Sequence, residues 1–256
     1  MATFDRVIWY LNIAATLVLL GRLFATGLWR TYRWLFFFFV ADTFQSLLLI
    51  ASLGNRNRYA EMYMGGQAVK MVLSVFVVLE LYQLALASHP ALAGFGRKTV
   101  GWLLVGSSMV AAGGLWMDSS VRPGQSTILH RFFTVERTMD FSVLIFLLLI
   151  CCFMLWFPVR MKPNVALYIG GFVVWFLARS FGLLMANILS ASFFHTMSNA
   201  MLAVCFGCLS FWSLALRRGG EFTTLTVGHR WNPAVMERLT GQLESINASL
   251  VRLSRD

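Results

Sequence analysis

Five of the ionisable residues inside long apolar runs of the sequence are the main candidates for chemistry: Asp42, Lys70, Glu80, Asp140 and Arg179. In the middle of a membrane-spanning helix each such group costs roughly 2.5–3.5 kcal/mol, so these groups usually face other helices or a polar cavity. Two chemistries are therefore open to them. They could line a polar path or ligand site through a helix bundle, or they could form ion pairs that fix helix packing. Lys70 and Arg179 can neutralise two of the three acids, and pairing of Arg179 with Asp42 is favoured.

Further polar residues extend this candidate site at helical spacing. Gln67 precedes Lys70 by three residues, which places both side chains on one helix face. A lysine at mid-membrane depth readily shifts its pKa and needs an acid or water nearby. His195 and Asn199 are spaced i, i+4 and could bind a ligand, although an interhelical hydrogen-bond cluster is the favoured interpretation.

The segment VERTMDF, residues 135–141, carries three charges at the head of an apolar run. We expect the helix to begin at residue 136, so that Glu136 and Arg137 lie at the outer membrane interface. The positive end of the helix dipole would then account for Glu136. Asp140 lies one turn deeper on the same face as Glu136. It should therefore meet a basic group, from Arg131, Arg137 or a neighbouring helix.

Several classes of chemistry are excluded by missing residues. The sequence has no hydrolase, nucleotide-binding or dinucleotide-binding motif, so we predict that the chain is not an enzyme. The last apolar run has no lysine for retinal, and His195 is the one histidine inside a run, whereas membrane b-type haem usually needs a pair. The four cysteines include a lone CxxC at 205–208 without a second pair, so we predict packing roles. No cofactor, metal or nucleic-acid partner is expected.

Composition indicates which elements position these residues. The chain is 58% hydrophobic and 12% charged, whereas soluble domains carry about a quarter charged residues. A helix needs about 20 apolar residues to cross the hydrocarbon core of a bilayer. Seven stretches qualify: 7–28, 34–53, 62–87, 99–117, 136–157, 165–188 and 193–216. We predict an all-α membrane protein, a seven-transmembrane-helix bundle at residues 1–218, whose first stretch is a retained span rather than a signal peptide.

The loops between these stretches carry most of the basic residues, which predict topology. One side collects Arg30, Arg33, Arg97, Lys98, Arg160, Lys162, Arg217 and Arg218. The other side has Arg6, Arg56, Arg58, Arg122, Arg131 and Arg137, interleaved with acids. The bias predicts an N-terminus outside the cell and a C-terminus in the cytoplasm.

The C-terminal region changes character after Arg218. Residues 219–232 read as a polar connector, and residues 233–256 as a cytoplasmic amphipathic helix. Its apolar residues recur at the a/d spacing of a coiled coil: Met236, Leu239, Leu243, Ile246, Leu250 and Leu253. The repeat is too short to be stable alone. We expect it to pack against a second copy of the chain, another protein or the membrane interface.

Two segments resemble a group of uncharacterised bacterial multi-pass membrane proteins. They are YAEMYMGGQAVKMVLSVFVVLELYQLALASHPALAGFGR, residues 59–97, and VERTMDFSVLIFLLL, residues 135–149. The matching features are Glu80-Leu81-Tyr82 at the end of an aromatic-led span and Glu136-Arg137 at the start of a later one. The resemblance implies that the protein lies in a bacterial cytoplasmic membrane, and it does not imply an activity.

Two functions remain open at this point. The first is a non-enzymatic receptor-like or accessory subunit that couples the bundle to a partner, or to another copy, through the C-terminal helix. The second is a transporter or channel for a small solute or ion that uses the intramembrane charges. Apart from Gly170-Gly171, no glycine or proline break lies deep in a span, which favours the first.

Overall fold

The protein is mainly helical. The computed structural model describes residues 3–87, 127–156, 159–188 and 191–227, and residues 237–238, 241–242, 244–245 and 248–249 in the C-terminal region. Its long helices are α1 (Thr3–Ala25), α2 (Arg33–Ala51), α3 (Arg56–Ala85), α4 (Thr127–Trp156), α5 (Pro163–Ile188) and α6 (Ala191–Ala215). All six are long and apolar enough to cross a membrane. The chain is therefore a multi-pass membrane protein, and the predicted span at 99–117 lies outside the described residues.

The six helices close into a ring in which each packs against its neighbours in sequence and α1 packs against α6, while α3 also contacts α5. Tyr63 contacts Phe133 near the start of both α3 and α4, and Tyr82 contacts Phe146 farther along both helices. These two helices are therefore parallel. We call the end where α3 and α4 begin the Arg56 end of the bundle, and the opposite end the Glu221 end.

Trp212 of α6 forms the centre of an aromatic core between α2, α5 and α6. Its ring centroid lies 4.9 Å from that of Phe172 and 5.7 Å from that of Phe39. A Cβ atom at Gly171 would lie 2.5 Å from the Trp212 ring, so glycine is needed for this approach. Apolar side chains also cover the outside of the ring, where Leu214 is 72% exposed. Lipid chains satisfy such a surface.

Two short strands lie at the Glu221 end of the bundle. Strand β1 (Val159–Met161) joins α4 to α5, and β2 (Leu225–Val227) follows α6. They pair antiparallel, with Val159 opposite Val227 and Met161 opposite Leu225. Part of the segment predicted to be a connector is thus held against the bundle by a backbone ladder.

Helix α4 begins nine residues before the expected start at residue 136. The added turns carry Phe132 and Phe133, whose rings contact Tyr63 at centroid distances of 6.5 and 5.9 Å. Packing on α3 therefore extends the helix beyond the apolar run. As a result Glu136 lies well inside α4, and the dipole effect, which is confined to the first turn, does not account for it.

Candidate functional site

Five charged side chains from four helices meet in the half of the bundle toward the Arg56 end. We call this set the buried charge cluster: Asp42 of α2, Lys70 of α3, Glu136 and Asp140 of α4, and Arg179 of α5. It contains three acids and two bases.

Arg179 bridges the two acids of α4. Its Nη2 lies 2.7 Å from Oε1 of Glu136, and its Nε lies 2.9 Å from Oδ2 of Asp140. The i, i+4 spacing puts both carboxylates on the face that α5 packs against. Glu136 is 1% exposed and Asp140 3% exposed. Glu136 is therefore buried between helices, its position at the outer membrane interface stays a prediction, and the partner of Asp140 lies on a neighbouring helix.

Glu136 is also held by α3. The Nε2 atom of Gln67 donates a hydrogen bond of 2.6 Å to Oε1 of Glu136, the oxygen that Arg179 also contacts. The hydroxyl of Tyr63, one turn earlier on α3, lies 3.5 Å from Oε2 of Glu136. Gln67 was a sequence candidate, whereas Tyr63 was not, because a tyrosine in an aromatic-rich span gives no specific signal.

Lys70 forms the second ion pair of the cluster. Its Nζ lies 2.8 Å from Oδ1 of Asp42, and the two side chains are 13% and 23% exposed. The favoured pairing of Asp42 with Arg179 is therefore wrong, because Asp42 pairs with Lys70 and Arg179 pairs with the two acids of α4. Positions 42 and 70 lie on the antiparallel helices α2 and α3, at the depth where these helices face each other.

Glu80 is separate from the cluster and caps a helix at the opposite end of the bundle. Its carboxylate accepts hydrogen bonds from the backbone amides of Arg33 at 2.9 Å and Trp34 at 3.2 Å. These amides open α2, and the residue before them, Tyr32, supplies no side-chain cap. The first amides of a helix have no intrahelical partner, so Glu80 stabilises the start of α2.

The remaining sequence candidates lie elsewhere. Arg137 is half-buried and forms no ion pair with any residue the structure describes. Asn199 is a half-buried residue of α6, while the side chain of His195 lies outside the described residues. The six apolar seam residues also lie outside: Met236, Leu239, Leu243, Ile246, Leu250 and Leu253.

A second polar site lies at the Glu221 end, and no sequence pattern predicted it. The carboxylate of Glu221 accepts hydrogen bonds from the Tyr32 hydroxyl at 2.6 Å, Nδ2 of Asn164 at 2.7 Å and Nζ of Lys162 at 3.0 Å. Asn164 Nδ2 also donates to the backbone carbonyl of Arg217 at 2.9 Å. We call these contacts the Glu221 latch, because they join the segment after α6 to α5 and to the loop before α2.

The latch favours an ionised Glu221. Burial alone raises the pKa of this carboxyl, but the hydrogen bonds from Tyr32, Asn164 and Lys162 outweigh burial, so its pKa lies below the ordinary value. Burial also raises the pKa of the Tyr32 hydroxyl, and its bond to Glu221 adds to that effect. Tyr32 therefore remains a donor at any physiological pH.

The described cysteine and acidic side chains do not form a metal site. Among the described residues, no three His, Cys, Asp or Glu side chains are grouped to hold a metal ion. Cys205 and Cys208 are buried, and the Cys208 thiol lies 3.8 Å from the carbonyl oxygen of Gly171. These cysteines act as small packing residues at the α5–α6 contact.

Comparison with known protein families, with curated proteins and with solved structures finds no match to this chain.

Proposed function

We propose that the chain crosses a bacterial cytoplasmic membrane seven times, with its N-terminus outside and its C-terminus in the cytoplasm. The parallel arrangement of α3 and α4 supports seven spans, because residue 87 and residue 127 lie at opposite ends of the bundle. In this proposal the chain between them crosses the membrane once, and the run at 99–117 is long enough for that crossing. The basic residues at the Glu221 end, among them Arg30, Arg217 and Arg218, support a cytoplasmic location for that end.

We propose further that the protein is a receptor-like or accessory subunit without enzymatic activity. In this proposal it couples its helix bundle to a partner, or to a second copy, through residues 233–256. The observation that carries the proposal is the Glu221 latch. Three donors from two other parts of the bundle fix the start of the segment that leads to the C-terminal region. A change in the bundle would therefore move that segment.

Continuous contacts connect the buried charge cluster to the latch. Gln67 and Lys70 lie on α3, which ends near Glu80, and Glu80 holds the first amides of α2. Tyr32 immediately precedes these amides and donates to Glu221. Such a path is a physical connection, and coupling along it additionally requires two arrangements of the bundle.

Transport of a small solute or ion is the weaker alternative. The charged residues of the cluster are paired, and all six described spans are continuous helices, whereas transport sites often use broken ones. Proteoliposome uptake by the wild type that Lys70→Met abolishes would favour transport over the subunit role.

The test of the subunit role is native mass spectrometry in mild detergent. We expect the full chain to form an oligomer or retain a co-purifying protein, and deletion of residues 233–256 to abolish that association. Leu243→Asn, in the apolar seam, should weaken it. Gln242→Asn is the matched control, because Gln242 is exposed. If the deleted and full-length chains have the same oligomeric state and the same partners, the proposal is wrong.

A further inference from the structure

The charges of the buried cluster do not balance. Arg179 contributes one positive charge and contacts two carboxylates, those of Glu136 and Asp140. Lys70 and Asp42 neutralise each other. One negative charge is therefore left uncompensated in the triad of Glu136, Asp140 and Arg179 on α4 and α5. The side chains of the two acids are at most 5% exposed. An uncompensated buried charge is strongly unfavourable.

Two buried amide oxygens on α2 and α3 also lack a hydrogen-bond donor among the described residues. Gln67 donates its amide nitrogen to Glu136, and its buried Oε1 atom has no donor among the described residues. Gln45 donates its amide nitrogen to the backbone carbonyl of Tyr63, and its buried Oε1 atom likewise has no donor in the part of the chain that the structure describes. Both glutamines are 5% exposed. Buried polar atoms normally have partners, and Gln67 Oε1, on the side chain that contacts Glu136, is therefore an acceptor available to a donor or a cation beside the triad.

From these two independent observations we propose that the Glu136–Asp140–Arg179 triad, with Gln67 beside it, binds one small monovalent cation. The shared chemistry is a single positive charge, supplied either by Na⁺ or by a proton on a carboxylate. Carboxylate and amide oxygens are the ligands that hard cations prefer. A divalent ion fits poorly, because only one positive charge is missing and Arg179 and Lys70 already contribute positive charge at the site. The site differs from one for zinc-like metals, which use histidine and cysteine.

The groups around the triad define what a bound cation would meet. Described titratable groups that face the two carboxylates of the triad from other helices are Asp42 of α2, Tyr63 and Lys70 of α3, Arg179 of α5 and Cys205 of α6. The three acids of the buried charge cluster, Asp42, Glu136 and Asp140, each form an ion pair with one of its two bases. The site is part of the bundle itself and does not depend on the C-terminal region.

The test measures thermal unfolding of the full chain in detergent by tryptophan fluorescence. In the first arm, Na⁺ replaces N-methylglucamine at constant ionic strength and pH. In the second arm, pH is lowered from about 8 to about 5.5 without Na⁺. A cation that binds only the folded state stabilises it in proportion to the logarithm of its concentration. At about 100-fold excess over Kd we expect an upward shift of about 5–10 °C in the arm that supplies the natural cation.

Three variants make the result specific. Glu136→Gln removes the excess charge at nearly constant shape, so its melting temperature should not respond in that arm. Asp140→Asn should behave in the same way, and it serves as the test variant if Glu136→Gln does not fold. Glu61→Gln is the control, because Glu61 is exposed on α3 and should keep the wild-type response. Identical responses of the wild type, Glu136→Gln and Asp140→Asn in both arms would overturn the proposal.

Discussion

Arg179 connects two helices through a single side chain. Its guanidinium group presents several donors in a fixed plane, which suits contact with two carboxylates at once. Glu136 and Asp140 occupy successive turns of α4, so Arg179 fixes both the rotation and the depth of α4 against α5. A lysine at the same position offers one charged atom and could not set both contacts in this geometry.

Replacing Arg179 with methionine should strongly destabilise the bundle. The change keeps the length of the apolar stem but leaves two buried acids without a base, and breaking a buried pair in this way costs about 3–5 kcal/mol. Unfolding titrations in mixed micelles measure the loss. Arg137→Met is the control, because Arg137 forms no ion pair among the described residues, and it should cost under about 1 kcal/mol. Equal losses in both variants would contradict this role of Arg179.

Glu221 should make the stability of the protein depend on acidic pH. Its pKa in the folded protein lies below the ordinary value of about 4.3. The stabilisation is therefore complete above about pH 4.3 and is lost as the pH falls through the lower folded pKa. Glu221→Gln should lower the melting temperature relative to the wild type at neutral pH. At about pH 3 the difference in melting temperature between the two proteins should be smaller. A difference that stays constant over this range would exclude ionisation of Glu221 as the cause.

Four of the five cluster residues could be predicted from the sequence, whereas their partners could not. Asp42, Lys70, Asp140 and Arg179 are conspicuous because charges inside apolar runs are rare. Which acid meets which base depends on the rotation and depth of each helix, and these are set by packing. Glu136 and Arg137 illustrate this, because adjacent residues point about 100° apart on a helix, and only Glu136 faces α5.

Glycine controls how closely two pairs of helices approach. A Cβ atom at Gly66 of α3 would overlap the side chain of Gln45 on α2, whereas one at Gly65 would meet nothing within 4 Å. The same contrast holds on α5, where Gly171 packs against Trp212 and Gly170 faces open space. In each GG pair, one glycine is required by packing and the other is not. The Gly170-Gly171 pair is therefore a packing feature of a continuous helix.

The two glycines of α3 should respond oppositely to alanine. Gly66→Ala should cost about 1–3 kcal/mol through overpacking, because Gln45 would have to leave the position from which it bonds the carbonyl of Tyr63. Gly65→Ala should be neutral or gain up to about 1 kcal/mol, since alanine favours helix. Unfolding titrations of the two variants test this contrast. Similar effects at both positions would mean that α2 and α3 are not held as closely as described.

Sequence patterns located the helices well and the short elements poorly. The ends of α2 and α5 lie within about two residues of their predicted positions, because apolar runs of membrane length are a strong signal. The start of α4 was missed, since its first turns are stabilised by contacts with Tyr63 rather than by an apolar run. The Glu221 latch gave no signal, because GGE in a polar segment is compatible with many loop structures.

At the scale of the whole molecule, two polar sites lie at opposite ends of an otherwise apolar bundle. Gln67, at the buried charge cluster, and Glu80, at the cap of α2, are 13 residues apart on α3, about 20 Å along the helix axis. Helix α3 contacts both sites directly, and α2 relays its position to Tyr32 and Glu221. This arrangement allows a change of charge at the buried charge cluster to alter the exposure of the segment that follows α6 and contains Glu221.

Trypsin cleavage after Arg217 and Arg218 should report this coupling. Both residues are exposed, but the carbonyl of Arg217 is held by Asn164, so cleavage requires the latch to open. Allosteric couplings are commonly 1–3 kcal/mol, or about 5- to 150-fold in an equilibrium. We therefore expect Glu136→Gln to change the cleavage rate by at least about fivefold. Control variants with a glutamine substitution outside the cluster should keep the wild-type rate.

Glu80→Gln should remove the effect of Glu136→Gln on that rate. Glutamine at position 80 weakens the cap of α2 and so loosens the link between α3 and Tyr32. In the double variant the change at residue 136 should then alter cleavage by less than about twofold, a non-additive result of the kind expected for connected sites. Glu61→Gln, on the exposed face of α3, should leave the wild-type rate unchanged. Fully additive effects of the substitutions at positions 80 and 136 would mean that the two ends of the bundle act independently.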